Sequence, residues 1–407
     1  MKNICACVLI FFSLSAKGDY WTQKADFGGT PRTFAAGFSI GSYGYIGTGI
    51  DTNGNYPTDF WEYNPTTNIW TQKANFGVTG RLGAVGFSIG NKGYLGIGWG
   101  NGYFNDFWEY DPSTNSWTQK SNFGGMQRIH AVGFSIGSKG YIGTGQGSSP
   151  NTMYNDFWEY DPALNTWTQK ANFGGIARLV AIGFSDGIKG FLGTGTFDFD
   201  NGTNDFWEYD PATNFWSQKA NFAGTPRSES IAFWICPFGY VGTGTYSIGS
   251  GTISDFWKYN IVNDTWTQVA NFGPGLREMG VAFSVENKGY VGTGWINDHT
   301  MKKDFWEYTP DSTCTTGIEE TTTTNLQFTI SPNPASEFIV CSLQPAVEKK
   351  IELTITNVEG KKVYSLQPET VNGKQETKID VSNYSNGIYF ITVDNGEEKA
   401  VRKFIKN

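Results

Sequence analysis

Residues 59–77 read DFWEYNPTTNIWTQKANFG, and near copies of this phrase recur along most of the 407-residue chain. Its first Trp stands at positions 61, 108, 158, 207, 257 and 306, and its second at 21, 70, 117, 167, 216 and 266. Separations of 47 to 50 residues between successive copies fall in the range of propeller blades and other stacked arrays. Two further phrases complete the unit: GYIGTG from Gly44 with five counterparts, and an Arg at 32, 81, 128, 178, 227 and 277.

Within one unit the hydrophobic alternation has period two, which gives four strands: a (TFAAGFSIG), b (GYIGTG), c (DFWEY) and d (IWTQKA). No helical stripe interrupts them. The c–d turn is spelled NPTTN or DPSTN, where Pro sets φ and Asn tolerates the left-handed region. Strand a carries small residues (Ala35, Gly37, Ser39) on one side and bulkier ones (Ala36, Phe38, Ile40) on the other. That suits an innermost strand on a crowded axis, with the Trp and Tyr of c and d filling the wedge where neighbouring sheets diverge.

The repeat opens on strand d alone (residues 20–28) and stops after a, b and c of a sixth unit (residues 277–310). The expected architecture is therefore all-β: a six-bladed β-propeller over residues 20–310, in which the lone N-terminal strand completes the last sheet and removes exposed edges. An aromatic share of 16% with 52 glycines agrees with many short strands and tight turns.

A net charge of −8 and a pI near 5.0 argue against a nucleic-acid partner. Residues 1–18, MKNICACVLIFFSLSAKG, read as a signal peptide whose apolar run is too short to span a bilayer. No other segment has the length for a transmembrane helix, so the expected product is soluble and exported. Cys5 and Cys7 leave with that peptide, and no disulfide framework follows from Cys236, Cys314 and Cys341. After Trp306 the composition changes: a polar linker (residues 311–325) leads to alternating segments over 326–407 that predict a small β-sandwich.

The order Arg, apolar strand, Gly-Tyr-x-x-Gly, Tyr-Asp-Pro, Trp resembles the kelch repeat over nearly all of residues 20–310, with G-T-G or G-I-G in place of the adjacent glycines usual after strand b. The tail is similar to the C-terminal sorting domain of type IX secretion, through SPNPAS at Ser331, NGIYFITV at Asn386 and KAVRKFIKN from Lys399. That resemblance implies a Gram-negative source, the type IX machinery as partner, and a product released or held at the outer cell surface.

Antiparallel strands put the d–a and b–c connections on one face. The b–c loops differ completely between units, from IDTNGNYPT (50–58) to WINDHTMKK (295–303), and variation on a fixed frame is where specificity resides. The six arginines start strand a on that face and offer either a ring for a carboxylate or sulfated ligand or, as a brace, partners for their own loops. Three tryptophans lie outside the repeated positions, and two of them, Trp99 and Trp295, share the slot after strand b, where an aromatic face suits sugar stacking or packing between loops. Glu229 and Glu278 break the pattern beside Arg227 and Arg277, as acid–base candidates or as partners of those arginines. His130 and His299 show no ligand spacing, and the acidic loop from Asp198 is out of register with an EF-hand, so neither a metal nor a cofactor is expected.

Two functions suit this pattern. One is a binding protein without catalytic residues, presenting the loops to a glycan or protein. The other follows from the kelch resemblance, which includes six-bladed sugar mutarotases acting on sialic acid; seven-bladed copper oxidases match less well in blade count and histidines.

Overall fold

The computed structural model describes residues 18–77, 79–149, 152–247, 250–296, 300–311, 328–332, 335–343, 351–357, 362–366, 375–384, 387–396 and 399–406. Most of the expected leader, nearly all of the linker, and His299 and Cys314 lie outside these residues. The chain divides into two compact units, Met1–Thr313 and Cys314–Asn407.

Among the described residues the first unit is all-β and contains six four-stranded antiparallel sheets. Five are continuous in sequence, the first being Ala36–Ile40, Tyr43–Gly47, Phe60–Asn64 and Ile69–Gln72 in the spatial order a-b-c-d. In the sixth, Val281–Val285, Lys288–Gly292 and Phe305–Thr309 are joined by Tyr20–Lys24. The register is Tyr20 opposite Thr309 through Lys24 opposite Phe305.

Each local choice in the repeat has a visible cause. In strand a, Ala36, Phe38 and Ile40 are buried, whereas Ala35 and Gly37 line a cavity shared by strand a of all six sheets. Gly37 has no room for more: a Cβ there would lie 2.1 Å from Val281 of the sixth sheet. In the c–d turn Asn68 sits at φ 55°, which an Asn tolerates at small cost. Its Oδ1 accepts the Tyr63 hydroxyl proton at 2.9 Å and the Ala25 N–H of the preceding sheet at 2.9 Å. Between sheets the aromatics interlock as the taper demands: Phe305 meets the edges of Tyr63 and Trp70 with centroids 4.9 and 5.0 Å away. Burying each such ring contributes roughly 1.5–3 kcal/mol.

Two circuits of hydrogen bonds run through the sheets in order and return to the start. In the inner one the residue two after each Arg donates its N–H to the counterpart's carbonyl in the preceding sheet: Gly83 to Phe34, His130 to Gly83, Val180 to His130, Glu229 to Val180 and Met279 to Glu229 at 3.1 Å, and Phe34 back to Met279 at 3.3 Å. In the outer one each strand-d Trp donates Nε1–H to a carbonyl after the previous strand d, from Trp70 to Ala25 at 3.1 Å round to Trp21 to Ala270 at 3.1 Å.

The second unit has a three-stranded sheet (Phe328–Ser331, Phe338–Leu343, Gln375–Asp380) and a four-stranded one (Lys362–Leu366, Glu352–Asn357, Gly387–Asp394, Lys399–Lys406). Ile339 and Cys341 of one and Leu353, Ile355, Ile391 and Phe404 of the other share a single buried cluster, as two sheets packed face to face require. Cys341 is free and buried, whereas Cys236 is disulfide-bonded, a pairing the spacing of the three cysteines did not indicate. An odd count of scattered cysteines hides such a pairing from the sequence.

Candidate functional site

The six arginines do not form an open ring. Each guanidinium is fully buried and makes a bidentate ion pair with the Asp that opens its own DFWEY phrase: Asp59, Asp106, Asp156, Asp205, Asp255 and Asp304. Arg32 uses all five donors, giving Nε–H to the Thr30 carbonyl (3.1 Å), Nη1–H to the Thr48 carbonyl (3.1 Å) and Asp59, and Nη2–H to Thr30 Oγ1 (3.0 Å) and Asp59. The same Arg stacks on Phe27, 4.9 Å from the ring centroid, and the counterparts stack likewise. Burial works to raise the Asp106, Asp205, Asp255 and Asp304 carboxyls, but the arginine's hydrogen bonds and charge outweigh it and hold them below the ordinary value. Arg32, Arg81, Arg128, Arg178 and Arg227 thus tie the d–a loop, the end of b and the start of c together within one sheet; Arg277 joins b to c in the same way through Thr293 and Asp304, while its buried Nε–H has no partner among the described residues.

Just past each Arg the chain turns sharply. The second residue after it is in the left-handed region in every sheet: Phe34 (φ 52°), Gly83 (60°), His130 (56°), Val180 (48°), Glu229 (57°) and Met279 (53°). These positions carry the inner circuit, and with the residues after them they line an axial cavity of about 170 Å³. It abuts a second cavity of about 210 Å³ walled by the strands a, the two sharing residues such as Ala35, Ala84 and Ser230.

Glu229 is 6% exposed, and its Oε2 has no hydrogen-bond partner among the described residues. Burial, reinforced by the charge of Glu278, pushes its carboxyl up to about 8. His130 is pulled down to about 4 by burial and is neutral at pH 7. Its ring meets Phe34 edge to face at 4.4 Å, across the position where the second sheet has Gly83.

Glu278 takes a different place. One residue closer to its Arg than Glu229, it forms a β-bridge with Trp295, each donating its N–H to the other's carbonyl at 3.1 and 2.9 Å. Trp99 bridges Leu82 in the same way and packs edge-on against Tyr56 of the neighbouring sheet's b–c loop at 5.5 Å. Both tryptophans are half-buried. The structure therefore joins Glu278 to Trp295 at the loop mouth and sets Glu229 on the axial circuit. Phe34 and His130, which the repeat pattern did not single out, stand on that circuit with it. The Asp198 carboxylate is occupied by the backbone N–H groups of Asp200 and Asn201 and by the Asn201 side chain. Among the described residues no cluster of His, Cys, Asp or Glu is arranged to hold a metal ion.

Glu229 also sets a stability prediction. A carboxyl raised from 4.5 to about 8 keeps its proton in the folded chain where the unfolded chain has lost it. Stability is then full below about pH 4.5 and falls by up to about 1.4 kcal/mol per unit as pH rises towards 8. Glu229→Gln is expected to leave stability unchanged at pH 4 and raise it by roughly 3 kcal/mol at pH 7, measured by denaturant unfolding across pH; parallel curves for the two proteins defeat the reading.

Comparison with known proteins adds two findings. Residues 329–407 match the secretion system C-terminal sorting domain family, so the chain is exported through the type IX system to the cell surface or extracellular space. The fold is similar to the β-propeller-like structure titled "Structure of YjhT", with a TM-score of 0.61 and 18% identity over 69% of this chain and 95% of that one. No curated protein matches the chain.

Proposed function

We propose that residues 20–310 form a closed six-bladed, kelch-like β-propeller that binds a glycan or protein ligand through its variable loops and performs no chemistry. The observation that carries this reading is the division of labour within each unit. The repeated Arg, Asp, Trp, Tyr and Phe side chains are spent on bracing the frame, while the residues that differ gather on one face. Trp99 and Trp295 sit at the mouths of two of those loops, and aromatic anchors of this kind dominate binding energy where they are used.

Glycan-array or pull-down screening of the exported protein is expected to return a ligand whose affinity falls at least tenfold in Trp99→Ala or Trp295→Ala. Unchanged binding in both variants removes these side chains from the proposal. The mutarotase reading draws its support from Glu229, a buried carboxyl titrating near neutrality, as proton exchange at an anomeric centre requires. NMR of sialic acid anomer exchange separates the two: acceleration abolished by Glu229→Gln makes the protein an enzyme.

A further inference from the structure

The six positions that line the inner circuit hold six different residues, Phe34, Gly83, His130, Val180, Glu229 and Met279, where the neighbouring Arg never changes. A scaffold gains nothing from that variety. The order of the circuit sets Glu229 three steps from Gly83 in either direction, across the chamber from the side on which Phe34 and His130 touch.

The charges are one-sided. Glu229 lines the chamber and feels the charge of Glu278, one residue before Met279 on the next sheet. Among the described residues no Lys or Arg lines the chamber, and the six arginines nearby each pair with their own Asp. An anion entering here meets no counter-charge. In the empty chamber Glu229 keeps its proton up to about pH 8; an uncharged ligand does nothing to favour its ionised form, which only a cation at the carboxyl stabilises. An ammonium group supplies both charge and N–H donors, and the rings of Phe34 and His130 offer it an aromatic wall. At about 170 Å³ the chamber is well below the 300–1,000 Å³ typical of drug-sized ligands, so one sugar-sized moiety fills it.

We propose that the axial chamber binds the ammonium group of a small amine, with an amino sugar as the best-suited class, and that Glu229 is its counter-ion. This rests on the binding reading above and gives it a ligand chemistry; it also predicts that sialic acid, an anion, is not what the axis selects.

The test is calorimetric titration of the exported full chain at pH 7.5 with glucosamine, glucose, N-acetylglucosamine and calcium chloride. Glucosamine binds; removal or acylation of the amine abolishes binding; Glu229→Gln weakens glucosamine at least tenfold while thermal unfolding shows the variant folded. Met279→Lys, which places a resident ammonium at the adjoining position of the circuit, abolishes it as well. Equal binding of glucose and glucosamine, binding that survives Glu229→Gln, or calcium taken up instead of glucosamine overturns the proposal. A loop ligand that depends on Trp99 or Trp295 but ignores Glu229→Gln leaves the binding function standing and sinks only the amine.

Discussion

Arg128→Met is expected to lower the stability of the first unit by about 3–5 kcal/mol, the range for stripping one partner from a buried ion pair. Arg128 gives Nε–H to the Met126 carbonyl (2.8 Å), Nη1–H to the Thr144 carbonyl (2.9 Å) and Nη2–H to Asp156 (2.8 Å). It lies between the rings of Phe123 and Tyr154, at 5.0 and 4.2 Å. Removing the guanidinium orphans two carbonyls and a carboxylate whose remaining partner is Trp158 Nε1–H at 2.8 Å. Most of the cost therefore comes from the unpaired Asp156, so Arg128→Met with Asp156→Asn should recover a large part of it. Denaturant unfolding reads the effect as a fall in midpoint with unchanged slope. Had the arginines been ligand contacts, the same substitution would spare stability and abolish binding, and a loss below about 1 kcal/mol with that pattern sinks the bracing role.

The aromatic frame was legible because it repeats: Trp61, Tyr63 and Trp70 recur at fixed spacing, and periodic rings in period-two strands leave few packings. The partner of Arg32 was equally visible, since Asp59 opens the quoted phrase, yet it lies 27 residues away and nothing in a linear pattern says that strand c folds back onto the start of strand a. The acidic pair shows the limit more sharply. Glu229 and Glu278 look equivalent in sequence, each just after an Arg, but one is two residues on and the other one. At a left-handed turn that offset sends Glu229 to the axis and Glu278 into a ladder with Trp295, as a one-residue slip in a strand exchanges faces. The contact of Phe34 with His130 was hidden for another reason. It joins residues 96 positions apart, one sheet removed from each other, and depends on the second sheet carrying Gly83, with no side chain, at the position between them.

At the seam the same physics acts without a covalent turn. Trp21 donates Nε1–H to the Ala270 carbonyl and packs on Phe256, Phe272 and Tyr308 with centroids 5.1, 4.9 and 5.0 Å away. Lys24 pairs with Glu307 at 3.1 Å. Asp19 does here what the turn Asn does elsewhere, accepting the Tyr308 hydroxyl proton at 3.1 Å and the Ala270 N–H. Trp21→Ala should cost about 3–5 kcal/mol, and so should Trp117→Ala, whose ring has matching contacts with Phe60, Phe76 and Tyr110. The two differ in what they release. Strand d of the second sheet stays tethered to strand c by its hairpin, whereas Tyr20–Lys24 reaches Phe305–Thr309 only through non-covalent contacts. Hydrogen exchange is therefore expected to show the ladder amides of 20–24 and 305–309 opening locally in Trp21→Ala and, more mildly, in Asp19→Ala, with strand Phe305–Thr309 left as a pairing edge prone to association. Asp19→Asn, which keeps the acceptor, should behave as the unsubstituted chain. Trp117→Ala should lose protection only with global unfolding, and equal local opening at both positions means that the seam is no weaker than a hairpin.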